Sequence, residues 1–298
     1  MKIFVEVVLP VLLIFLAGYG LQKWEKLNIK SISTFALYIL IPGLVFRTFY
    51  NTELNVQYMN IVLFSFVLMF LLILVAKVYS KMRKTSRSIE SGLILSTAFM
   101  NSGNYGAPII LFAYGEAGFH YSITLLVLHA IMMNFFGVYY AARGKAGIKT
   151  AVKSVLEMPT TYVVVIAIAF QLLNVPVSKN ILSAVDLVAD ATIPVVMLIL
   201  GMQLAEIKLR GFHWERITFA IVSRLFLSPI LAYLIIQFMA IDPLLEKVLI
   251  VTSAMPSAVN TVMYALQFDA EPEFVSSITF ITTLLSIFTI TPLLFILG

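Results

Sequence analysis

An all-α polytopic membrane protein of ten transmembrane helices is the fold class this sequence predicts. Three observations carry that reading: its composition, the length of its apolar runs, and the spacing of the prolines inside them. Hydrophobic residues make up 61% of the 298 positions and charged residues 12%, and mean hydropathy is +1.00. Soluble domains run at roughly 45–50% apolar and about 25% charged. So little polar surface cannot cover a water-facing globule, and the solvent must be lipid. The runs are continuous and several reach the roughly 20 residues that a helix needs to cross a bilayer. A β-barrel would show short alternating segments instead.

Ten spans follow, at 3–21, 32–50, 58–79, 91–114, 119–141, 159–173, 181–205, 216–239, 245–265 and 274–297. The first opens like a secretory leader, with Lys2 before an apolar run. That run reaches Leu21 and contains Glu6 and Pro10, so it reads as a transmembrane helix with Glu6 near the interface. Loops are short and leave no room for a soluble domain. Cysteine is absent, which rules out disulfides and thiolate metal sites.

Basic residues set the orientation. One set of alternate loops holds Lys23, Lys26, Lys30, Lys77, Lys81, Arg83, Lys84, Arg87, Arg143, Lys145, Lys149, Lys153, Lys208, Arg210 and Arg216. The opposite set holds Lys2, Lys179 and Lys247. By the positive-inside rule the richer side is cytoplasmic and both termini face outward, in a bacterial inner membrane. The net charge of +5 is thus a topology signal and not a nucleic-acid footprint. Trp24 and Trp214 fall near span ends, as interfacial anchors do.

A repeat shows in the prolines. Pro42 in span two and Pro194 in span seven lie 152 residues apart, and Pro108 in span four and Pro256 in span nine lie 148 apart. Two five-span halves result, 1–141 and 159–298, joined by a cytoplasmic linker at 142–158. An odd number of spans per half forces the second to insert upside down, the inverted-repeat plan of many secondary transporters.

The most informative stretch is Asn101-Ser102-Gly103-Asn104-Tyr105-Gly106-Ala107-Pro108, in the middle of span four. Two glycines, two asparagines and a proline will not hold a continuous helix. Backbone groups freed at membrane depth must be buried in protein or line a cavity. Pro108 suits the first turn of a restarting helix. Span nine carries a matching interruption, Met255-Pro256-Ser257-Ala258-Val259-Asn260. If both helices break near the midplane, their second halves bring positive N-terminal ends together from opposite directions, an anion site. The first halves bring free carbonyls, which suit a cation. The alternative is a pair of kinked helices tied to their neighbours by asparagines.

These residues, with the Pro194-Val-Val-Met-Leu-Ile-Leu-Gly201 segment, resemble the auxin efflux carrier family. Its bacterial members are described as malonate or malate permeases and its plant members export auxin. The resemblance spans essentially the whole chain. It implies two inverted five-helix repeats related to the bile-acid sodium symporter fold, broken helices four and nine crossing at the substrate site, and elevator-type alternating access. Carried over by position, Asn101, Asn104, Pro108, Pro256 and Asn260 would sit at that crossing, with Gly103, Gly106 and Ser257 beside them. Plant members have a long central cytoplasmic loop; the linker here is short, so regulation through that loop is not expected.

Charged residues inside spans are candidates by default. Arg224 lies about 12 Å into span eight at 1.5 Å per residue. Three readings stand for it: contact with a substrate carboxylate, a buried ion pair with Asp190, or a side chain reaching back to the cytoplasmic surface. Asp186 and Asp190 share a helix face at i, i+4 and are candidates for a coupling proton or sodium ion. Arg47 reads as snorkelling at the outer end of span two. His129 and Asn134 in span five read as helix–helix hydrogen-bonding groups.

No enzyme motif is present: the sequence has no Gly-x-Ser-x-Gly elbow, no Gly-x-Gly-Asp and no His-Glu-x-x-His. Three histidines without cysteine make no metal centre, and no cofactor is expected. A channel would need a continuous pore lined by a ring of carbonyls or charges. The expected function is a secondary or facilitative carrier of small organic anions. A sodium-coupled symporter of larger organic anions is the alternative. The oligomeric state is open, with a homodimer among the options.

Overall fold

The computed structural model describes residues 2–52, 55–142, 147–207 and 213–298. Among them the protein is built of helices without a strand. In chain order these are α1 (Phe4–Glu25), α2 (Ile29–Asn51), α3 (Val56–Met82), α4 (Arg87–Ala98), α5 (Ser102–Ala141), α6 (Gly147–Leu156), α7 (Pro159–Leu172), α8 (Lys179–Glu206), α9 (Trp214–Ile236), α10 (Pro243–Ser253), α11 (Asn260–Phe268) and α12 (Pro272–Leu297). Polar caps start them where the sequence turns apolar. The side chains of Asn28, Asn55, Ser86, Ser178 and Asp242 each accept a first-turn N–H. Proline opens α7, α10 and α12, where its missing N–H costs nothing.

By length and composition α1, α2, α3, α5, α8, α9 and α12 can each cross a membrane, and α6 with α7, bent by 59°, adds an eighth if counted as one span. Phe238, Phe288 and Phe295 stand exposed on the outside, as lipid-facing side chains do. The chain is a multi-pass membrane protein.

Two differences from the sequence reading have physical causes. The linker at 142–158 holds α6, whose face toward the protein buries Ala151, while Lys153 and Glu157 pair across one outer turn at 3.6 Å. Its lysines read as loop charge because the helix is short. Forty residues of α5 also run as one helical stretch, interrupted at Gly115 with φ +65° and ψ −164°. That backbone is strained for any residue with a side chain. Of the basic residues that set the orientation, Arg143, Lys145, Lys208 and Arg210 lie outside the described residues.

Packing divides the helices into two groups. In one, α1, α2, α7 and α8 lie against one another; the other gathers α3, α4, α5, α9, α10, α11 and α12. The tightest seam of the first group joins α1 to α8. A Cβ on Gly18 would stand 2.2 Å from the Leu198 carbonyl oxygen, and one on Gly201 would stand 2.0 Å from that of Phe15. Only two glycines allow backbones this close.

Contacts between loops sort by end. At one end Gln22 donates to Glu206, Lys23 to the Ala205 carbonyl and Ser88 to that of Asp269, and Arg83 pairs with Glu215 at 2.7 Å. At the other, Asn60 donates to the Ala240 carbonyl, Tyr121 to Asp242 and Lys247 to the carbonyl of Gly298.

Gly201→Ala is expected to lower the melting temperature of detergent-solubilised protein by the equivalent of about 3 kcal/mol, because its methyl group meets backbone that cannot repack. Gly20→Ala, with open space around it, is the control. It should leave stability unchanged or raise it by up to about 1 kcal/mol.

Candidate functional site

Helix α4 stops at Ala98 because the residues after it cannot continue a regular turn. Helix α5 restarts through a wide turn in which the Gly106 N–H reaches back five residues to the Asn101 carbonyl at 2.9 Å. Pro108 follows, with no N–H to offer. Between α10 and α11 the chain unwinds again over Ala254 to Val259. The two unwound stretches meet. Met100 and Ser257 face each other in an antiparallel bridge. The Asn101 N–H donates to the Pro256 carbonyl at 2.8 Å, and the Ala258 N–H donates to the Phe99 carbonyl at 3.0 Å. Each interruption thus satisfies the other.

Backbone carbonyls at the ends of the first halves are covered by side chains. The Asn101 N–H, which a continuing helix would give to Thr97, goes to Pro256. The Thr97 carbonyl instead accepts from Arg224 Nη1 at 2.7 Å. The Ser257 N–H goes to Thr282 Oγ1 at 3.2 Å. The Ser253 carbonyl accordingly accepts from Arg224 Nη2 and, at 2.7 Å, from Ser228 Oγ. Ser257 Oγ closes the set by donating to the Ser96 carbonyl.

Beside the crossing lies a cavity of about 310 Å³. Asn101, Gly103 and Asn104 line it from the start of α5, and Val259 and Asn260 from the start of α11. At the starts of these helices the Ser102 N–H turns back to the Met100 carbonyl at 3.0 Å, and those of Thr261 and Val262 to the Ala258 and Val259 carbonyls at 3.1 and 3.0 Å. Asn101 is 6% exposed and its amide nitrogen has no partner. The opposite wall brings Ser65, His129, Asn134 and Tyr264. His129 Nε2 lies 3.2 Å from Ser65 Oγ, and the Tyr264 hydroxyl donates to Asn134 Oδ1 at 2.9 Å. Leu37, Ile41, Met158 and Thr160 close the cavity from the other helix group. Among the described residues, no Asp, Glu, Lys or Arg lines it. What it offers an anion is amide, hydroxyl and ring N–H donors and two helix N-termini, each worth about half a positive charge.

Sequence-derived candidates therefore divide. Asn101, Gly103, Asn104 and Asn260 meet at the cavity. Gly106, Pro108, Pro256 and Ser257 are buried in the crossing beneath it. Arg224 is fully buried and lines no part of the cavity. It does not pair with Asp190 and does not reach the surface: its guanidinium bonds the carbonyls of Thr97 and Ser253 at two helix ends, and among the described residues no carboxylate lies within 4.0 Å of it. Asp190 pairs with Arg47 at 2.6 Å and Asp186 approaches the same guanidinium at 4.0 Å. Arg47, expected to snorkel, is held by this pair. His129 and Asn134 line the cavity besides bonding within the helix bundle. Tyr264, Ser65 and Thr160 carried no signal, since single hydroxyls in apolar runs look alike whichever way they face.

A family model described as membrane transport protein matches residues 3–151 and 145–294. The chain belongs to the auxin efflux carrier family. An uncharacterized transporter of Methanocaldococcus jannaschii is 28% identical over 301 residues, covering 96% of each chain. An uncharacterized transporter of Methanothermobacter thermautotrophicus is 26% identical, over 95% of this chain and 94% of its own. A candidate malonate transporter of Rhizobium meliloti is 24% identical, over 89% of this chain and 86% of its own. The family is one of membrane transport proteins, and all three relatives of this auxin efflux carrier family member are named as transporters.

The division of labour at the crossing is testable. Ser257→Ala strands the buried Ser96 carbonyl and should cost about 1–3 kcal/mol of stability. Asn104→Ala, at the cavity wall, should leave stability within about 0.5 kcal/mol of wild type.

Proposed function

We propose that this protein is a secondary carrier of small organic anions, mono- and dicarboxylates or aromatic acids of auxin type. In this reading it presents one site alternately to the two sides of the membrane as one helix group moves past the other. The observation that carries the reading is the cavity at the crossing. Among the described residues its lining is uncharged; it lies at two helix N-termini, holds an unpartnered buried amide donor, and sits on the boundary between the two groups. A carboxylate would accept from the side chains of Asn101, Asn104 and Asn260 and from first-turn N–H groups of α5 beyond Ser102. At about 310 Å³ the cavity is at the small end of ligand pockets. That size favours a compact acid over the larger organic anions of a sodium-coupled symporter. The Rhizobium meliloti relative named for malonate points the same way.

The proposed topology has ten spans. Helix α5, at 40 residues, would be about 60 Å long, twice the hydrocarbon thickness, so it counts as two spans parted at Gly115. The pairs α4 with the start of α5, and α10 with α11, each make one broken span. Residues 1–141 and 159–298 then form two inverted repeats around the linker 142–158. The sorting of loop contacts by end supports alternation, and the distribution of basic residues favours both termini outside. Export of an anion runs down a negative-inside potential worth about 2.3 kcal/mol per charge per 100 mV, whereas uptake needs a coupled H⁺ or Na⁺. Asp190 and Asp186, engaged with Arg47 and away from the cavity, are poorly placed for that role.

Counterflow of labelled malonate and malate into proteoliposomes loaded with the same acid tests the reading. Wild type should exchange at least one of them. Asn101→Ala, which loses one donor to a charged ligand, should weaken apparent affinity about 10- to 100-fold. Absence of exchange with either acid and with indole-3-acetate would sink the organic-anion assignment.

A further inference from the structure

The anion reading uses the positive ends of the second half-helices and leaves the other half of the crossing unexplained. Two first halves, α4 and α10, end at the same place. Each C-terminus carries about half a negative charge in unpaired carbonyls. Together they make a site of about one negative charge at membrane depth, the natural seat for a cation. In this chain that seat holds the guanidinium of Arg224. Its Nη1 bonds the Thr97 carbonyl in the last turn of α4, and its Nη2 bonds the carbonyl of Ser253, the final residue of α10. Ser228, one turn along α9, bonds both Arg224 Nη2 and the Ser253 carbonyl. The side chain is fully buried, and among the described residues no carboxylate lies within 4.0 Å of it. A buried arginine without an acidic partner needs another source of negative charge. Two helix C-termini supply it.

From this we infer that Arg224 is the carrier's built-in cation: a positioning residue whose fixed charge holds both broken helices together at their C-terminal ends, where an inorganic cation would otherwise bind. The charge is covalently attached and cannot leave with the cargo. The crossing is then electrically complete on its carbonyl side at every stage of the cycle. The N-terminal side is left with an uncompensated positive potential that only the transported anion relieves. Anion binding at the crossing therefore requires no sodium ion there. This goes beyond the carrier reading and does not depend on which acid is carried.

The test uses Arg224→Gly, Arg224→Lys and Arg224→Met in the full chain, with melting temperature in detergent as the substrate-free readout and counterflow as the functional one. Arg224→Gly should melt well below wild type. Millimolar guanidinium should restore much of that loss, whereas urea, which has the same shape without the charge, should not. Arg224→Lys should retain measurable counterflow, and Arg224→Met, of similar bulk, should lose it at least tenfold. If Arg224→Gly does not fold, the Lys and Met pair decides alone. Wild-type counterflow should be unchanged when sodium is replaced by N-methylglucamine. Equal rescue by urea, equal activity of the Lys and Met variants, or a sodium requirement for wild-type anion exchange would each overturn the inference. Failure of malonate and malate as cargo would leave the melting-temperature arm intact and count only against the proposed substrate class.

Discussion

Lipid offers no hydrogen-bond partner, so a helix that comes apart inside a bilayer must find substitutes for every amide and carbonyl it releases. Two interruptions solve this problem jointly where one could not. The Asn101 N–H serves the Pro256 carbonyl and the Ala258 N–H serves that of Phe99. The carbonyls left behind at Ser96, Thr97 and Ser253 are taken by Ser257, Arg224 and Ser228. The rest of the protein is arranged around this closed account. Helix α9 exists at this point to deliver Arg224 and Ser228, and α12 to deliver Thr282.

Once the crossing is closed, its electrostatics follow. Four half-helix ends meet, two of each sign, and the fold treats the signs differently. The negative pair faces a fixed cation in a dry, packed interior. The positive pair faces a space whose donors, among the described residues, are uncharged. An arrangement with an arginine in the cavity would attract an anion more strongly and release it less readily. In the proposed carrier, helix ends and amides would provide attraction of a strength that transport can reverse.

The sequence carried much of this, and the limit of what it carried has a physical form. Helix-breaking residues act locally, so both interruptions were visible in Asn101–Pro108 and Met255–Asn260, and cavity-lining asparagines were visible with them. Long-range partnership is not local. Nothing near Arg224 indicates that its acceptors lie 127 and 29 residues away, and a nearby Asp190 in an adjacent span was the more obvious partner until Arg47 proved to hold it. Pairings such as Tyr264 with Asn134 depend on which face of a helix meets which, a quantity that hydropathy averages away. The family resemblance reached the identity of the chain, which residue chemistry alone did not.

The glycine seam between α1 and α8 has a counterpart in the seam at the cavity. At Gly18 and Gly201 backbone lies on backbone, with no rotatable side chain between them. Such a joint has nothing to rearrange: sliding by even part of a turn would drive carbonyl against carbonyl. The cavity boundary is furnished with Met69, Met100, Met132, Met133 and Met158, unbranched thioethers that change rotamer at little cost. One joint behaves as a weld and the other as a greased bearing. In the proposed carrier, movement of one group past the other would be relieved along the methionines and not along the glycines.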